Sequence, residues 1–217
     1  MTDNIIRYGI RWAGHYFGMS QPKPVRIAMA SGVNFTINGG SQNNNLNVGD
    51  PIKQLSTGYY TVCGGFENAG NTADPLFGIV CGFSRGYWTG TRMQPTTTLP
   101  SGVTYGTILD RQTLVDVVPC SIGSYWEIDA DATTFTTDAT YRDIVGNNAD
   151  HILTERANLS LLPQLHMAAG LGTGTAQWRI VQLSPTQANQ DLTGNFVKLI
   201  VTPNESQWPI PGTATGT

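Results

Sequence analysis

Charged side chains are scarce in this chain. Asp, Glu, Lys and Arg make up 12% of its 217 residues, about half of the roughly 25% that is usual for a soluble domain. The 12 Lys and Arg residues are scattered along the sequence, and the formal net charge is -3. Because a nucleic-acid site needs clustered cations to neutralise phosphates, we predict that the protein does not bind nucleic acid. Long apolar runs are also missing, so no membrane-spanning segment and no membrane partner are predicted.

Cysteine is equally sparse. The chain has three cysteines, Cys63, Cys81 and Cys120, and none of them belongs to a Cys-x-x-Cys pair. A structural zinc site would need four ligands. We therefore predict buried, reduced thiols in a protein made in the cytoplasm, with a disulfide as the disfavoured alternative. No metal ion and no cofactor is predicted.

In place of charge the chain has Thr, Asn, Gln, Ser and 25 glycines, a composition common in all-β proteins. Short apolar segments bounded by turn residues predict strands at 59–66, 76–83, 113–119, 125–129, 178–183 and 195–202. Gly78 and Gly82 lie inside the second segment, which suits a strongly curved, buried strand. The predicted fold is mainly β, a single β-barrel-like domain with long loops.

Two local features refine this prediction. One short helix is expected, with Asp138 as its N-cap, Tyr141, Ile144 and Val145 on a shared face, and Gly146 ending it. The residues Ser-Ile-Gly-Ser at 121–124 predict a hairpin between two strands.

The chain divides into three parts that differ in composition. Residues 1–47 are irregular and contain prolines and aromatics, so they are predicted to form an extended N-terminal arm and linker. Residues 48–202 form the β-barrel-like domain, and 203–217 a C-terminal tail. Within the domain, 84–104 and 158–177 are predicted loops, and loops of such length are usually functional or ordered by a partner.

The aromatic side chains of the arm and of the 84–104 loop are the candidate contacts with a partner. Rings in the arm must bury somewhere, either on the protein's own domain or on a partner, and the sequence leaves both open. The candidate contact residues are Tyr8, Trp12, Tyr16, Phe17, Tyr87 and Trp88.

Residues that could carry chemistry are few. His15, His151 and His166 are far apart in sequence, and neither a Gly-x-Ser-x-Gly nor a His-Glu-x-x-His motif occurs. The Gly-Leu-Gly-Thr-Gly stretch at 170–174 lacks the lysine of a phosphate-binding loop. We therefore predict no catalytic residues and a protein that is not an enzyme.

An acidic stretch allows two interpretations. Glu127, Asp129 and Asp131 alternate along a predicted strand, so their carboxylates share one face. They could form a calcium site, although Ala132 stands where an EF-hand needs glycine. The favoured interpretation is an acidic strand that is solvated or lies at a sheet edge, where charge discourages pairing with another chain.

Several motifs, taken in order, resemble a known family. They are RYGIRW at 7–12, VGDPIK at 48–53, GIVCGF at 78–83, RQTLVDVVP at 111–119, YWEIDAD at 125–131, DIVGNNADH at 143–151 and WRIVQLSPTQANQDLTGNFVKLIVTPN at 178–204. This order resembles a family of tailed-bacteriophage capsid decoration, or cement, proteins. Ile10 departs from the family, which usually has an aromatic there, and the 84–104 loop and the 203–217 tail look particular to this chain.

The resemblance implies a non-enzymatic virion protein on the capsid exterior. Such a protein would stabilise the shell by bridging subunits of the major capsid protein, and would associate with itself, as a trimer in preference to a dimer. The alternative is a phage tail or receptor-binding β module that recognises a host surface glycan, with Tyr87 and Trp88 as an aromatic platform. A hydrolase of cell-wall polymers is a more distant alternative.

Overall fold

The computed structural model describes residues 9–16, 23–30, 45–64, 74–83, 87–88, 91–99, 114–121, 123–131, 142–156, 160–165, 167, 176–185 and 197–207. In chain order the strands are β1 (Arg11–His15), β2 (Val25–Ala28), β3 (Leu46–Asn47), β4 (Pro51–Gln54), β5 (Tyr60–Val62), β6 (Gly78–Gly82), β7 (Tyr87–Trp88), β8 (Met93–Gln94), β9 (Thr98–Leu99), β10 (Leu114–Pro119), β11 (Ser124–Asp129), β12 (Asn148–Ala149), β13 (His151–Arg156), β14 (Ser160–Leu165), β15 (Trp178–Leu183) and β16 (Lys198–Pro203). Residues 142–144 are helical. The prediction of a mainly-β fold with one short helix is confirmed.

Two five-stranded antiparallel sheets dominate the fold. The first has the order β1-β11-β16-β15-β12 and the second the order β2-β10-β6-β4-β5. Three two-stranded sheets, β13-β14, β3-β9 and β7-β8, accompany them. The short strands β7, β8 and β9 fall within the predicted 84–104 loop, and β14 lies within the predicted 158–177 loop. Local sequence did not reveal β7, β8 and β9 because each has only two residues, and β14 contains Pro163, a residue that weakens a strand signal.

The second sheet curls until its two edges meet. Just beyond β2, the amide of Ala30 donates to the carbonyl of Tyr60 in β5 at 2.8 Å, and Met29 and Tyr60 form a parallel bridge. One bridge is not a ladder, so among the described residues the sheet is barrel-like rather than a closed barrel. Its interior is an apolar cluster that includes Ile52, Val80 and Val117.

Strands β6 and β10 have both faces buried. Val80 and Val117 point into the interior of the curled sheet, whereas Ile79 and Val118 pack in a second cluster against the first sheet. This arrangement explains why the sequence reads as continuous apolar runs here instead of alternating, and it confirms the predicted buried strands.

The predicted N-terminal arm is partly built into these sheets. Strand β1 pairs with β11 of the first sheet, and β2 pairs with β10 of the second. In these stretches residues 1–47 are therefore edge strands of the domain and not an arm that leaves it. Edge strands add hydrogen bonds as well as apolar contacts, and local composition does not reveal such pairing.

Three of the motifs meet at one point, which we call the junction and define as Gly9, Ile10, Gly49, Asp50 and Val80. The amide of Ile10 donates to Gly49 O at 2.9 Å, that of Gly49 to Val80 O at 2.8 Å, and that of Val80 to Asp50 O at 3.0 Å. The backbones of Gly9 and Gly49 touch, since a Cβ on Gly49 would lie 2.7 Å from Gly9 Cα. The junction joins the start of the first sheet to the second.

The acidic strand is neither solvated nor at an edge, so the favoured interpretation was wrong. β11 lies between β1 and β16, and Glu127 and Asp129 are only 6% and 2% exposed. Cross-strand pairing supplies their partners: Arg11 forms an ion pair with Glu127, and Lys198 Nζ lies 2.6 Å from Asp129 Oδ1. Asp131 Oδ1 accepts a hydrogen bond from the amide of Met167 at 2.7 Å.

Two further local predictions were wrong. The Ser-Ile-Gly-Ser segment does not form a hairpin, because it carries the chain from β10 in the second sheet to β11 in the first. Ile144 and Val145 do not share a buried face, since Ile144 is buried and Val145 is 40% exposed. The predicted end of the helix at Gly146 is confirmed by its left-handed backbone, with φ of 88°.

Candidate functional site

An open groove lies on the outer face of the first sheet and has a volume of about 530 Å³. Its floor is a row of side chains from three adjacent strands: Tyr125 of β11, Thr202 of β16 and Arg179 of β15. Arg179 and Thr202 are direct cross-strand partners. Tyr125 points outward because it alternates with Trp126, which is buried in the core on the other face.

Loops held to the sheet form the two ends of the groove. At one end the amide of Tyr16 donates to Gly123 O at 2.8 Å. At the other end the amide of Gly146 donates to Ile180 O at 2.9 Å. Gly123 and Gly146 both have a left-handed backbone, with φ of 81° and 88°. The ends are therefore fixed by backbone hydrogen bonds, which makes the groove a preformed surface.

The groove exposes apolar surface. Tyr16 is 72% and Val145 is 40% exposed, and both line the groove. Large apolar side chains contribute roughly 1.5–3 kcal/mol each when they are fully buried. Two such side chains at opposite ends of one groove form a surface that gains free energy when a partner covers it.

Among the described residues that line the groove, Arg179 is the charged one. It is exposed, and within the described part of the chain no carboxylate forms an ion pair with it. Arg11 and Arg26 contrast with it, because Arg11 pairs with Glu127 and Arg26 with Asp116. The groove therefore presents a planar cation between apolar ends.

The predicted contact residues fall into three groups. Tyr16 lines the groove, whereas Trp12 packs edge-on against Trp126, with ring centroids 5.2 Å apart. The choice left open for the arm is thus decided for Trp12 in favour of the protein's own domain. Tyr87 and Trp88 form β7, of which the structure describes the backbone. Tyr8 and Phe17 lie outside the described residues.

His151 is the centre of a buried polar cluster. Its Nδ1 accepts a hydrogen bond from Trp178 Nε1 at 3.3 Å, so Nε2 carries the proton and donates to Cys63 O at 3.1 Å. Burial lowers the pKa of His151 to about 4 and raises the pKa of the Cys63 thiol well above its ordinary value. Both side chains are completely buried, so the cluster connects three strand segments inside the protein and does not face a substrate.

Gln177 extends this cluster. Its side-chain amide donates to Gly64 O at 3.0 Å and to Asp74 O at 2.5 Å, and its Oε1 accepts from the amide of His151 at 3.2 Å. These bonds satisfy backbone groups of a segment that is not paired in a regular β-ladder.

The other two histidines are not part of this cluster. His15 lies near the groove, stacked on Trp12 with ring centroids 6.5 Å apart, and His166 is outside the described residues.

Metal-binding groups and membrane-spanning helices can be assessed only for the part of the chain that the structure describes. No group of three or more His, Cys, Asp or Glu side chains in this part of the chain is placed to hold a metal ion. Over the same residues, no helix is long and apolar enough to cross a membrane.

Comparison of the chain with protein-family models, with curated proteins and with solved structures gives no match. The resemblance of its motifs to decoration proteins therefore stays a prediction. A proposal of function rests on the residues themselves and on the groove.

Proposed function

We propose that this protein is a non-enzymatic virion component that decorates the outside of a phage capsid and cements it by bridging subunits of the major capsid protein. The observation that carries the proposal is the groove, a preformed apolar surface with Tyr16 and Val145 exposed at its ends. A protein that acts by binding needs such a surface, and its binding free energy comes from covering it.

The body that carries the groove is suited to transmitting force. The sheets pack through a continuous apolar cluster. The partly exposed ion pair of Arg11 with Glu127 and the buried pair of Lys198 with Asp129 link three neighbouring strands. A shell under internal pressure gains strength when a stiff body spans two of its subunits. A flexible body would let the subunits separate.

Bridging needs more contact area than this groove offers. A stable interface buries roughly 1,000 Å² or more, so the proposal includes self-association on the capsid, with a trimer preferred because local threefold positions suit it. Three grooves acting together would also add avidity. In this proposal the protein is made in the host cytoplasm and has its place on the capsid exterior.

A tail or receptor-binding module that recognises a host glycan is the second candidate. The observation that favours it is the pair of tyrosines, Tyr16 and Tyr125, along one groove, because sugar rings stack on aromatic faces. The copy number in the virion separates the two candidates, since decoration requires hundreds of copies and a tail component requires a few or a dozen.

The test is to add the purified protein to heads assembled without it, then to count bound copies and measure the temperature at which the heads release their DNA. Cementing predicts saturable binding of hundreds of copies and a higher release temperature. Failure of the heads to bind the protein, or binding without any change in release temperature, would contradict the proposal.

A further inference from the structure

The chemistry of the groove indicates what occupies it. We infer that the groove binds an extended peptide segment of its partner that places a carboxylate on Arg179 and apolar side chains against Tyr16 and Val145. This inference deepens the proposed function by naming the chemical class of the contact on the partner.

Charge complementarity supports a carboxylate. The protein as a whole has a net charge of -3, yet the described residues that line the groove include Arg179 and no acidic side chain. A guanidinium presents a rigid fork of donors that fits a carboxylate in a bidentate geometry. A carboxylate of the partner therefore forms the ion pair with Arg179 that no described residue of this chain forms.

The length of the groove supports a peptide. Its ends lie beside β1 and β12, the two edges of the five-stranded sheet. Four strand spacings of about 4.8 Å separate these edges, about 19 Å in all. An extended chain covers this distance with about six residues at roughly 3.3 Å each. A segment of this length reaches both apolar ends and crosses Arg179, which lies on β15 next to the Val145 end.

The same features disfavour other classes of ligand. A nucleic acid or an anionic membrane would need several cations, and the lining residues that the structure describes include one. A neutral glycan would stack on the tyrosines but would not require the charge of Arg179. Loss of binding when the charge of Arg179 is removed would thus distinguish a peptide carboxylate from a neutral glycan.

The first arm of the test uses a displayed library of random twelve-residue peptides, selected on the immobilised protein. We expect the selected peptides to be enriched in Asp or Glu flanked by apolar residues. Their affinity should fall about tenfold or more with Arg179→Gln, as is usual for a lost charged hydrogen bond, and less with Arg179→Lys. Lys23→Gln, which removes an exposed positive charge away from the groove, is the matched control and should leave the affinity unchanged.

Several results would overturn the inference. These are a library that yields no binder, binders without carboxylate enrichment, equal affinity for the parent and Arg179→Gln, and a glycan that binds the groove regardless of that substitution. A thermal melt of each variant ensures that only folded protein is compared.

The second arm uses heads assembled without this protein and separates the two proposals. If the heads bind the parent and bind Arg179→Gln several-fold more weakly, both proposals are supported. If they bind the two equally, the inference fails and the proposed function remains. If they bind neither, the proposed function fails, and the peptide library alone decides what the groove binds.

Discussion

The junction and the groove differ in what the sequence says about them. The junction contains three recognisable motifs, and its glycines are in backbone contact. The groove gathers residues from five separated segments, and the motifs at 125–131, 143–151 and 178–204 supply most of its lining. It also holds the exposed Tyr16 and Val145. The comparison teaches that a motif by itself does not tell whether its residues join the sheets, as at the junction, or face outward, as in the groove.

The largest expected effect comes from filling the junction. Gly49→Ala places a Cβ 2.7 Å from Gly9 Cα on a residue with φ of 94°. The left-handed backbone costs about 1–2 kcal/mol and the overpacking roughly another 1–3 kcal/mol, so chemical denaturation should show a loss of about 3 kcal/mol.

Gly58 is the matched control for this substitution. It also has a positive φ, 82°, but an added Cβ would meet no atom within 4 Å. Gly58→Ala should therefore lose only the backbone term, about 1–2 kcal/mol. Equal losses at the two glycines would mean that the contact between Gly9 and Gly49 is not tight.

The buried cluster around His151 predicts a pH-dependent stability. The folded-state pKa of about 4 lies below the ordinary 6.5, so the unfolded chain binds the extra proton between these values. The contribution of His151 is complete above pH 6.5 and is lost as the pH falls to 4, by about 2–3 kcal/mol.

The measurement is the free energy of unfolding against pH for the parent and for His151→Gln. Every other titratable group is present in both proteins, so the difference between the two curves isolates His151. We expect that difference to shrink as the pH falls from 6.5 to 4. Parallel curves would show that His151 is protonated as readily in the folded state as in the unfolded state.

Two glycines of β6 give the next smaller effect. An added Cβ on Gly78 would lie 2.5 Å from Val117 Cγ1 and from Val118 O, whereas one on Gly82 would meet Asp116 Oδ2 at 3.6 Å, an ordinary contact. Gly78→Ala should cost about 1–3 kcal/mol, whereas Gly82→Ala should leave stability unchanged or raise it by less than about 1 kcal/mol, because the lost backbone freedom belongs to the unfolded chain. The sequence predicted that both glycines lie in one buried strand. Similar thermal shifts for the two variants would show that the contacts at Gly78 are no tighter than those at Gly82.

The sequence predicts features that depend on residues within one strand better than features that depend on contacts between strands. Strands β6 and β10 were predicted because burial of both faces leaves continuous apolar runs. The environment of Glu127 and Asp129 was mispredicted because alternation shows that two side chains share a face but not what covers it. Their partners, Arg11 and Lys198, lie on other strands, and only the sheet register brings them together.

Of the described residues that line the groove, Tyr16 is the one that the sequence analysis predicted as a partner contact. Tyr16 was singled out as an aromatic side chain, but Trp12, chosen on the same ground, packs inside the domain. Arg179 carried a usable signal, since it alternates with Trp178 and Ile180 in a predicted strand and must point away from the core. The sequence could not show that the outward face of Arg179 adjoins Tyr16 and Val145, because that depends on the order of the strands.

Substitutions in the groove should change stability least and binding most. The double variant Tyr16→Ser and Val145→Ser removes exposed side chains, so its free energy of unfolding should stay within about 0.5 kcal/mol of the parent. Tyr59→Ser, at a residue that is 38% exposed and does not line the groove, is the matched control.

The central claim is tested most directly by titrating heads assembled without this protein with the parent, with the Tyr16→Ser and Val145→Ser double variant, and with Tyr59→Ser. We predict that the double variant binds at least tenfold more weakly, since two apolar contacts are worth more than the 1.4 kcal/mol of a tenfold change, while Tyr59→Ser binds like the parent. Parental affinity of the folded double variant would contradict the claim that this groove is the docking surface.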